Sequence, residues 1–309
     1  MIQKQHHNWE DIAQFAWNIR KRVLETAVSQ GGGYLSQACS SAEILAVLYG
    51  SLLRLGPSLG SRIPSPFRGV PGRNADYVNG GVYHGAKAPD LDRFIVSPSH
   101  YAQAIYAALT EADRLAPEAM AHFNRDGSSV EMIGAEHSPG IEVSGGSFGQ
   151  ALAQAAGIAM ARKRKGDTGL VWIFMSDGEF QEGQTWETLL AAAFHRLDNL
   201  RVYVDVNGQQ VDGRMDEVMS MEPFLQKIEA FGWAVRRVDG HDAKALAQGA
   251  RAGVEGKPWM TLADTCPFQG LEPLASRGPK LHYVRIKEGE ESKVLMEHLT
   301  QLNSNGAVQ

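Results

Sequence analysis

The stretch from Leu170 to Val206 constrains the fold more than any other part of the chain. A continuous apolar run, LVWIFM at 170–175, has strand length; a helical segment follows near 184–197 with Trp186, Leu189, Leu190, Ala193 and Phe194 inward; a second strand runs from Arg201 to Val206. An unbroken apolar strand is one covered on both faces, and a strand–helix–strand order brings the chain back parallel to itself by a right-handed crossover. The expected fold is α/β, a parallel sheet with helices on both faces.

The alternation extends in both directions. Upstream, Ile12, Phe15, Ile19 and Val23 recur at helical spacing behind a capping Asn8, in a helix that ends before Gly31-Gly32-Gly33. A second helix is expected to start at Ser40-Ser41-Ala42-Glu43, which has capping-box spacing, and to continue toward Leu55. Phe94-Ile95-Val96 reads as a buried strand, Ser99 as a helix cap, Ile141-Glu142-Val143 as an extended piece, and 150–163 as a helix. Downstream, helices near 222–231 and 242–252 alternate with strands at 233–235 and 259–263. No repeat or linker divides the chain, so 1–309 is expected to be a single domain. It carries a proline- and glycine-rich insertion near 56–90 and a polar tail after about 288.

Composition excludes several classes of function. With 30 basic against 35 acidic residues, and a net charge of -5, no broad positive field exists to draw in nucleic acid or an anionic membrane. The basic run Arg162-Lys163-Arg164-Lys165 falls at the end of an expected helix, where cations complement the dipole. Cys39 and Cys266 form no CxxC pair, no apolar run is long enough to span a bilayer, and the first residues lack a signal-peptide core. A cytoplasmic location is expected.

Chemistry concentrates between Ser176 and Gln209, in FMSDGEFQEGQTWE and DNLRVYVDVNGQQVDG. Asp177 and Asn207 each follow a strand, and ligands of parallel sheets bind beyond the carboxyl ends of strands. A carboxylate at Asp177, an amide oxygen at Asn207 and a main-chain carbonyl at Gln209 are hard donors, suited to magnesium, or to calcium or manganese, rather than to thiol-seeking metals. Gly178 lets a phosphate approach the backbone, and the helix that follows offers N–H groups to an anion. A lone SDG or NG would be an ordinary cap or turn. The pair, each member at a strand end, points instead to a metal–diphosphate site.

These segments resemble the metal and diphosphate motif of thiamine-diphosphate enzymes, and more specifically the first domain of the transketolase family. PGIEVSGGSFGQALAQAAGIAMA and DRFIVSPSHYAQAIYAAL resemble two further segments of that family, and the resemblance spans roughly residues 10 to 285. It implies thiamine diphosphate as cofactor, with Gly146, Ser147, Phe148, Gly178, Glu179 and Asn207 against it. It places His100 facing the diphosphate, His282 reaching both cofactor and substrate as a second catalytic histidine, and Glu182 at a subunit contact. Ser176 and Val206 stand where the family usually has Gly and Asn, and neither change removes a metal ligand. Two family histidines are absent: SQGGGYLS puts Gln30 or a glycine in place of one, and His137 is the candidate substitute for the other as a substrate contact. Arg68, Arg73, Tyr83 and His84 of the 56–90 loop are further candidates for compensating contacts. His241, in VDGHD, reads as a loop residue ahead of a helix.

The family places on a second domain the glutamate that activates thiamine, and the resemblance here ends with the first. The implied activity is transfer of a two-carbon ketol unit from a ketose to an aldose, on sugar or sugar-phosphate substrates. It would take place in an α2β2 assembly with a second transketolase subunit, a separate chain that carries the pyrimidine-binding and C-terminal domains. The alternatives are a deoxyxylulose-phosphate-synthase-like or 2-oxo-acid-dehydrogenase-like component, or a non-catalytic cofactor-binding subunit. A nucleotide-binding oxidoreductase is a rival of another class, since Gly145, Gly146 and Gly149 imitate a dinucleotide loop, but no acidic residue stands at the strand end such a loop requires.

Overall fold

The structure, a computed structural model, describes residues 8–69, 76–211, 213–287 and 289–305. Helix α1 (Trp9–Gln30) starts at Asn8, whose side chain accepts from the Glu10 N–H, and stops at Gly31, whose φ of 71° only glycine adopts freely. After a two-residue strand β1 (Gly32–Gly33), α2 (Leu35–Val47) begins well before Ser40 and passes into a π turn at Leu48–Leu52. Ser40 and Ser41 are therefore buried inside the helix rather than capping it. Their hydroxyls reach other partners, Ser40 the Asp205 carboxylate at 2.5 Å and Ser41 the Gln37 carbonyl.

Strand β2 (Arg93–Val96) leads through a 3-10 turn at Ser99–Tyr101 into α3 (Ala102–Glu111). Then follow α4 (Gln150–Lys165), β3 (Val171–Ser176), α5 (Gly183–Phe194) and β4 (Leu200–Val206). A small hairpin, β5 (Gln209–Gln210) with β6 (Gly213–Arg214), precedes α6 (Met215–Val218) and α7 (Phe224–Ala230). Strand β7 (Ala234–Asp239), α8 (Ala243–Ala247), β8 (Trp259–Asp264), β9 (Val284–Arg285) and α9 (Glu290–Asn305) complete the order. Ile141–Val143 forms no strand, and α8 is much shorter than the expected 242–252.

The central sheet is parallel throughout, in the order β2-β3-β4-β8-β7. Alternate strand residues feed two cores. Phe94, Val96, Trp172, Phe174 and Tyr203 pack beneath α1, α2 and α3, while Ile95, Ile173, Met175, Val202 and Val204 pack beneath α4, α5 and α7. Both faces are covered, which is why β3 tolerates no polar alternation. On α5 the buried face is Thr185, Thr188, Leu189 and Ala192. Leu190 and Phe194, expected inward, lie one position off that stripe and are exposed, Phe194 by 80%.

A buried ionic cluster joins four segments. Arg20 donates to both Glu43 oxygens and to the Cys39 carbonyl, and the Cys266 N–H donates to His241 Nε2, leaving Nδ1–H for Glu43 at 2.9 Å. His241 stands in the turn ahead of α8, as expected, and ties that turn to α2. Burial alone would raise the Glu43 carboxyl, but the Arg20 charge and the hydrogen bonds from His241 and Arg20 outweigh it and hold it at about 2. A carboxylate lowered from its ordinary 4.5 contributes stability above pH 4.5 that is lost as pH falls toward 2. Glu43→Gln is expected to reduce unfolding free energy at pH 7 by on the order of 3 kcal/mol, the gap to wild type closing through that acidic window in denaturant titrations.

Within the 56–90 insertion, the segment around Gly80–Gly85 is packed, while much of the rest that is described is exposed. Tyr83 and His84 are buried; the Tyr83 hydroxyl donates to the Ser61 carbonyl, His84 Nε2 lies 2.9 Å from the Tyr49 hydroxyl, and Arg114 holds the Tyr83 and Gly56 carbonyls. Arg73 lies outside the described residues. Among the described residues, no helix is long and apolar enough to cross a membrane.

Candidate functional site

Strand register builds the site. Ser176 pairs with Asp205 across β3 and β4, so the residues that leave the two strand ends, Asp177 and Asn207, emerge side by side. Asp177 accepts from the Gly178 N–H at 2.9 Å and the Gly208 N–H at 3.0 Å. The Asn207 amide is fixed from both ends: Nδ2 donates to the Tyr101 hydroxyl at 3.0 Å and to Asp205 at 3.2 Å, while Oδ1 accepts from the Gln209 N–H. Asp205 in turn accepts from Ser40, Tyr101, Thr265 and Asn207. Three elements distant in sequence, together with the adjacent Asn207, converge on that one carboxylate.

Among the described residues, no basic side chain compensates these acids. Burial, then the Asp205 charge, pushes the Asp177 carboxyl up to about 8 against the pull of the Gly208 and Gly178 N–H groups. Burial likewise raises Asp205, against its four donors, and raises Glu179 to about 7 against Ser97 and Ser176. The Gln209 Oε1 atom is buried without a hydrogen-bond partner. Crowded buried carboxylates beside an unpaired amide oxygen are what a hard divalent cation would satisfy. Among the described residues no three His, Cys, Asp or Glu side chains converge as a cage, so such a cation would rest on one carboxylate supplemented by amide and main-chain oxygens.

A cavity of about 380 Å³ opens at these strand ends. Its walls include Asp177, Gly178, Asn207 and Gln209, with His100, Gly146, Phe148, Glu182 and His282. His100 comes from the turn after β2 and His282 from just before β9, yet their rings lie 4.9 Å apart, with Phe148 5.9 Å from His100. Burial and the neighbouring His282 lower His100 to about 3, and burial lowers His282, so both imidazoles are neutral at pH 7. The glycine segment fits closely over the end of β2: a Cβ on Gly145 would stand 2.1 Å from the Ser97 carbonyl oxygen.

Other candidates fall elsewhere. Glu179 lies beneath the cavity, closing a capping box in which the Ser176 N–H donates to it at 2.9 Å. Ser147 is exposed and accepts from Gln150 rather than lining the wall. A 3-10 turn at Asp177–Gln181 stands between Gly178 and the helix expected near 184–197, which starts at Gly183 as α5. Gln30 is exposed at the end of α1, outside the cavity wall. His137 stacks on Phe67 at 3.9 Å and lines a separate cavity beneath the 56–90 loop. Tyr83 contributes to that second cavity, and neither Tyr83, His84 nor Arg68 reaches the first.

Several wall and support residues were not singled out from the sequence, Tyr34, Gln37, Tyr101 and Asp205, and Ser40 was marked only as a helix cap. Tyr34 follows the Gly31–Gly33 run directly, an aromatic ring beside a close backbone approach, and that was its only signal. Tyr101 adjoins His100 and gave no signal of its own.

Comparison with known proteins agrees with this geometry. The family described as "Transketolase, thiamine diphosphate binding domain" matches residues 84–266. A transketolase family protein of Sinorhizobium fredii is 36% identical, over 92% of this chain and 94% of its own length. The 6-deoxy-6-sulfo-D-fructose transketolase subunit of a Clostridium species is 31% identical, over 88% of this chain and 92% of its own. The crystal structure of the transketolase from Campylobacter jejuni superposes with a TM-score of 0.74 over 95% of this chain at 22% identity, and this chain spans 43% of that one.

Proposed function

The chain belongs to the transketolase family, and from that premise we propose that it is the diphosphate-binding half of a ketol transferase completed by a separate pyrimidine-domain subunit. The observation that carries this reading is the convergence of Asp177, Asn207 and Gln209 on the same cavity as His100 and His282. Asp177, Asn207 and Gln209 would hold magnesium, and the cation together with Gly178 would anchor the diphosphate. Gly146 and Phe148 would support the rings of the cofactor. Thiamine diphosphate, when bound, supplies a nucleophilic carbon and an electron sink for cleaving the bond next to a ketose carbonyl.

This chain's own residues orient and handle protons. Neutral His100 and His282 each offer one N–H and one bare nitrogen, so the pair can donate to a substrate oxygen and accept a proton as the carbon–carbon bond breaks. The cavity rim carries exposed apolar side chains, Ile133 and Val211, the latter 70% exposed, beside Glu182. A rim of that kind suits coverage by another subunit, which would exclude water from the reacting centre. The word "subunit" in the name of the Clostridium relative supports a two-chain enzyme, and an α2β2 assembly is the arrangement proposed.

The test mixes this chain with its candidate partner, thiamine diphosphate and magnesium, and follows ketose consumption against aldose acceptors. Turnover is expected from the mixture and none from either chain alone. Turnover by this chain alone, or tight binding of NAD in place of thiamine diphosphate in a titration, would overturn the reading.

A further inference from the structure

Tyr34 occupies a place in the cavity wall that the cation and diphosphate contacts do not explain. It sits on the short link between β1 and α2, and its ring is held on three sides: 5.5 Å from His100, 5.5 Å edge-on from His282 and 5.2 Å edge-on from Tyr283. Gly32 makes this packing compact, since a Cβ there would meet the Tyr283 hydroxyl at 3.2 Å and the Val284 carbonyl oxygen at 2.7 Å. Tyr34 lines the cavity, and its hydroxyl has no hydrogen-bond partner among the described residues. A firmly held phenol in a cavity wall, with no partner for its hydroxyl among the described residues, is an arrangement that a ligand oxygen completes.

The rest of this wall narrows what that ligand group can be. No lysine or arginine is among the described residues lining the cavity, and the groups around Tyr34 are neutral at pH 7, with burial lowering both histidines and raising the Tyr34 phenol. Neutral donors without a nearby cation match a hydroxyl better than a carboxylate or a phosphate. Gln37 strengthens the arrangement by donating to the His282 carbonyl at 3.1 Å, which ties the segment carrying His282 to the start of α2.

We infer that Tyr34 recognises the hydroxyl of the two-carbon unit being transferred, and so sets the preference for a ketol donor over a 2-oxo compound that lacks that hydroxyl. The inference rests on the ketol-transfer reading and deepens it by naming the residue of this chain that selects the donor. A hydroxylated donor pairs the phenol; a methyl group in its place leaves the phenol desolvated and unpaired, which is the stronger source of discrimination.

The experiment uses Tyr34→Phe, which retains the ring packed on His100, His282 and Tyr283 and removes only the hydroxyl. The complex with the partner subunit, loaded with thiamine diphosphate and magnesium, is assayed with hydroxypyruvate and with pyruvate, which differ by that one hydroxyl. The variant is expected to lose about 10- to 100-fold in kcat/KM for hydroxypyruvate, the range for one buried hydrogen bond. Its constant for pyruvate, read as kcat/KM or as an inhibition constant where pyruvate is not turned over, improves because no phenol is left unpaired, while thiamine diphosphate affinity stays unchanged. An unchanged ratio between the two substrates, or a parallel loss on both accompanied by weaker cofactor binding, overturns the inference. A wild-type complex that acts on neither hydroxypyruvate nor any ketose overturns the ketol-transfer reading and this inference with it, an outcome recognisable because the wild type itself is inactive.

Discussion

Asp177→Ala is expected to abolish magnesium-dependent binding of thiamine diphosphate and all activity of the mixed complex, while leaving the fold intact. Asp177 is the one carboxylate in the candidate cation site that faces the cavity, and the amide oxygens of Asn207 and Gln209 carry no charge to replace it. Loss of a group that merely orients a metal ligand costs 10- to 100-fold in affinity, so loss of the charged ligand itself should exceed about 100-fold. Stability should move the other way. Asp177 is buried close to a second carboxylate, Asp205, with no basic partner among the described residues, so without the cation the site must either hold two like charges or keep a proton on Asp177, whose carboxyl is pushed up to about 8. Asp177→Asn keeps the side-chain shape and relieves that conflict, and the cation-free variant is expected to melt at or above the wild-type temperature. Calorimetric titration with thiamine diphosphate and magnesium, paired with thermal melts of the cation-free protein, checks both halves. Intact cofactor affinity in either variant would remove Asp177 from the site.

Asp205→Ala is expected to have the opposite signature, a large loss of stability with cofactor binding weakened as a consequence. Its carboxylate is the common acceptor for Ser40 of α2, Tyr101 of the turn before α3, Thr265 after β8 and Asn207 after β4. Truncation takes the carboxylate acceptor from the Tyr101 and Thr265 hydroxyls, leaves Ser40 and Asn207 with one acceptor each and opens a void beneath the site, and a broken buried network of this kind costs on the order of 3 to 5 kcal/mol. The Asn207 amide would also lose one of the two acceptors that hold its Nδ2, so its Oδ1 would no longer be pinned toward Gln209. Tyr101→Phe separates the two effects: it removes one donor to Asp205 and one acceptor from Asn207, so thiamine diphosphate affinity should fall by about 10-fold with a far smaller change in stability. Denaturant unfolding with an unchanged m-value, read beside the cofactor titration, distinguishes a stability defect from a binding defect. A stable Asp205→Ala protein would show that the four donors find other partners.

The parts of this protein that the sequence determined by itself are those governed by local period and strand-end chemistry. The unbroken apolar run at 170–175 and the alternation around it implied the parallel sheet, since a strand covered on both faces has no other way to be built. The SDG and NG turns pointed to one crevice because the register of adjacent parallel strands leaves their ends side by side. Short-range signals failed where burial came from elsewhere. The Ser40-Ser41 pair has the spacing of a cap but lies inside α2, because Ser40 finds its acceptor in Asp205, which is distant in sequence. Leu190 and Phe194 look like core residues, yet α5 turns Thr185, Thr188, Leu189 and Ala192 inward, a choice of helix rotation made by the sheet beneath it.

Only the tertiary structure decided which residues finish the site. Asp205 is one acidic residue among many in the chain until donors from three distant elements meet on it, and Tyr34 is one aromatic among many until His100 and His282 fold against its ring. Gln30 and His137 were reasonable substitutes by position along the chain, but the earlier start of α2 carries Tyr34 into the wall, and the packing of the 56–90 loop holds His137 against Phe67 instead. Backbone periodicity is a property of neighbours along the chain. The charge, desolvation and hydrogen-bond satisfaction that shape this cavity belong to residues far apart in sequence, and folding alone brings them together.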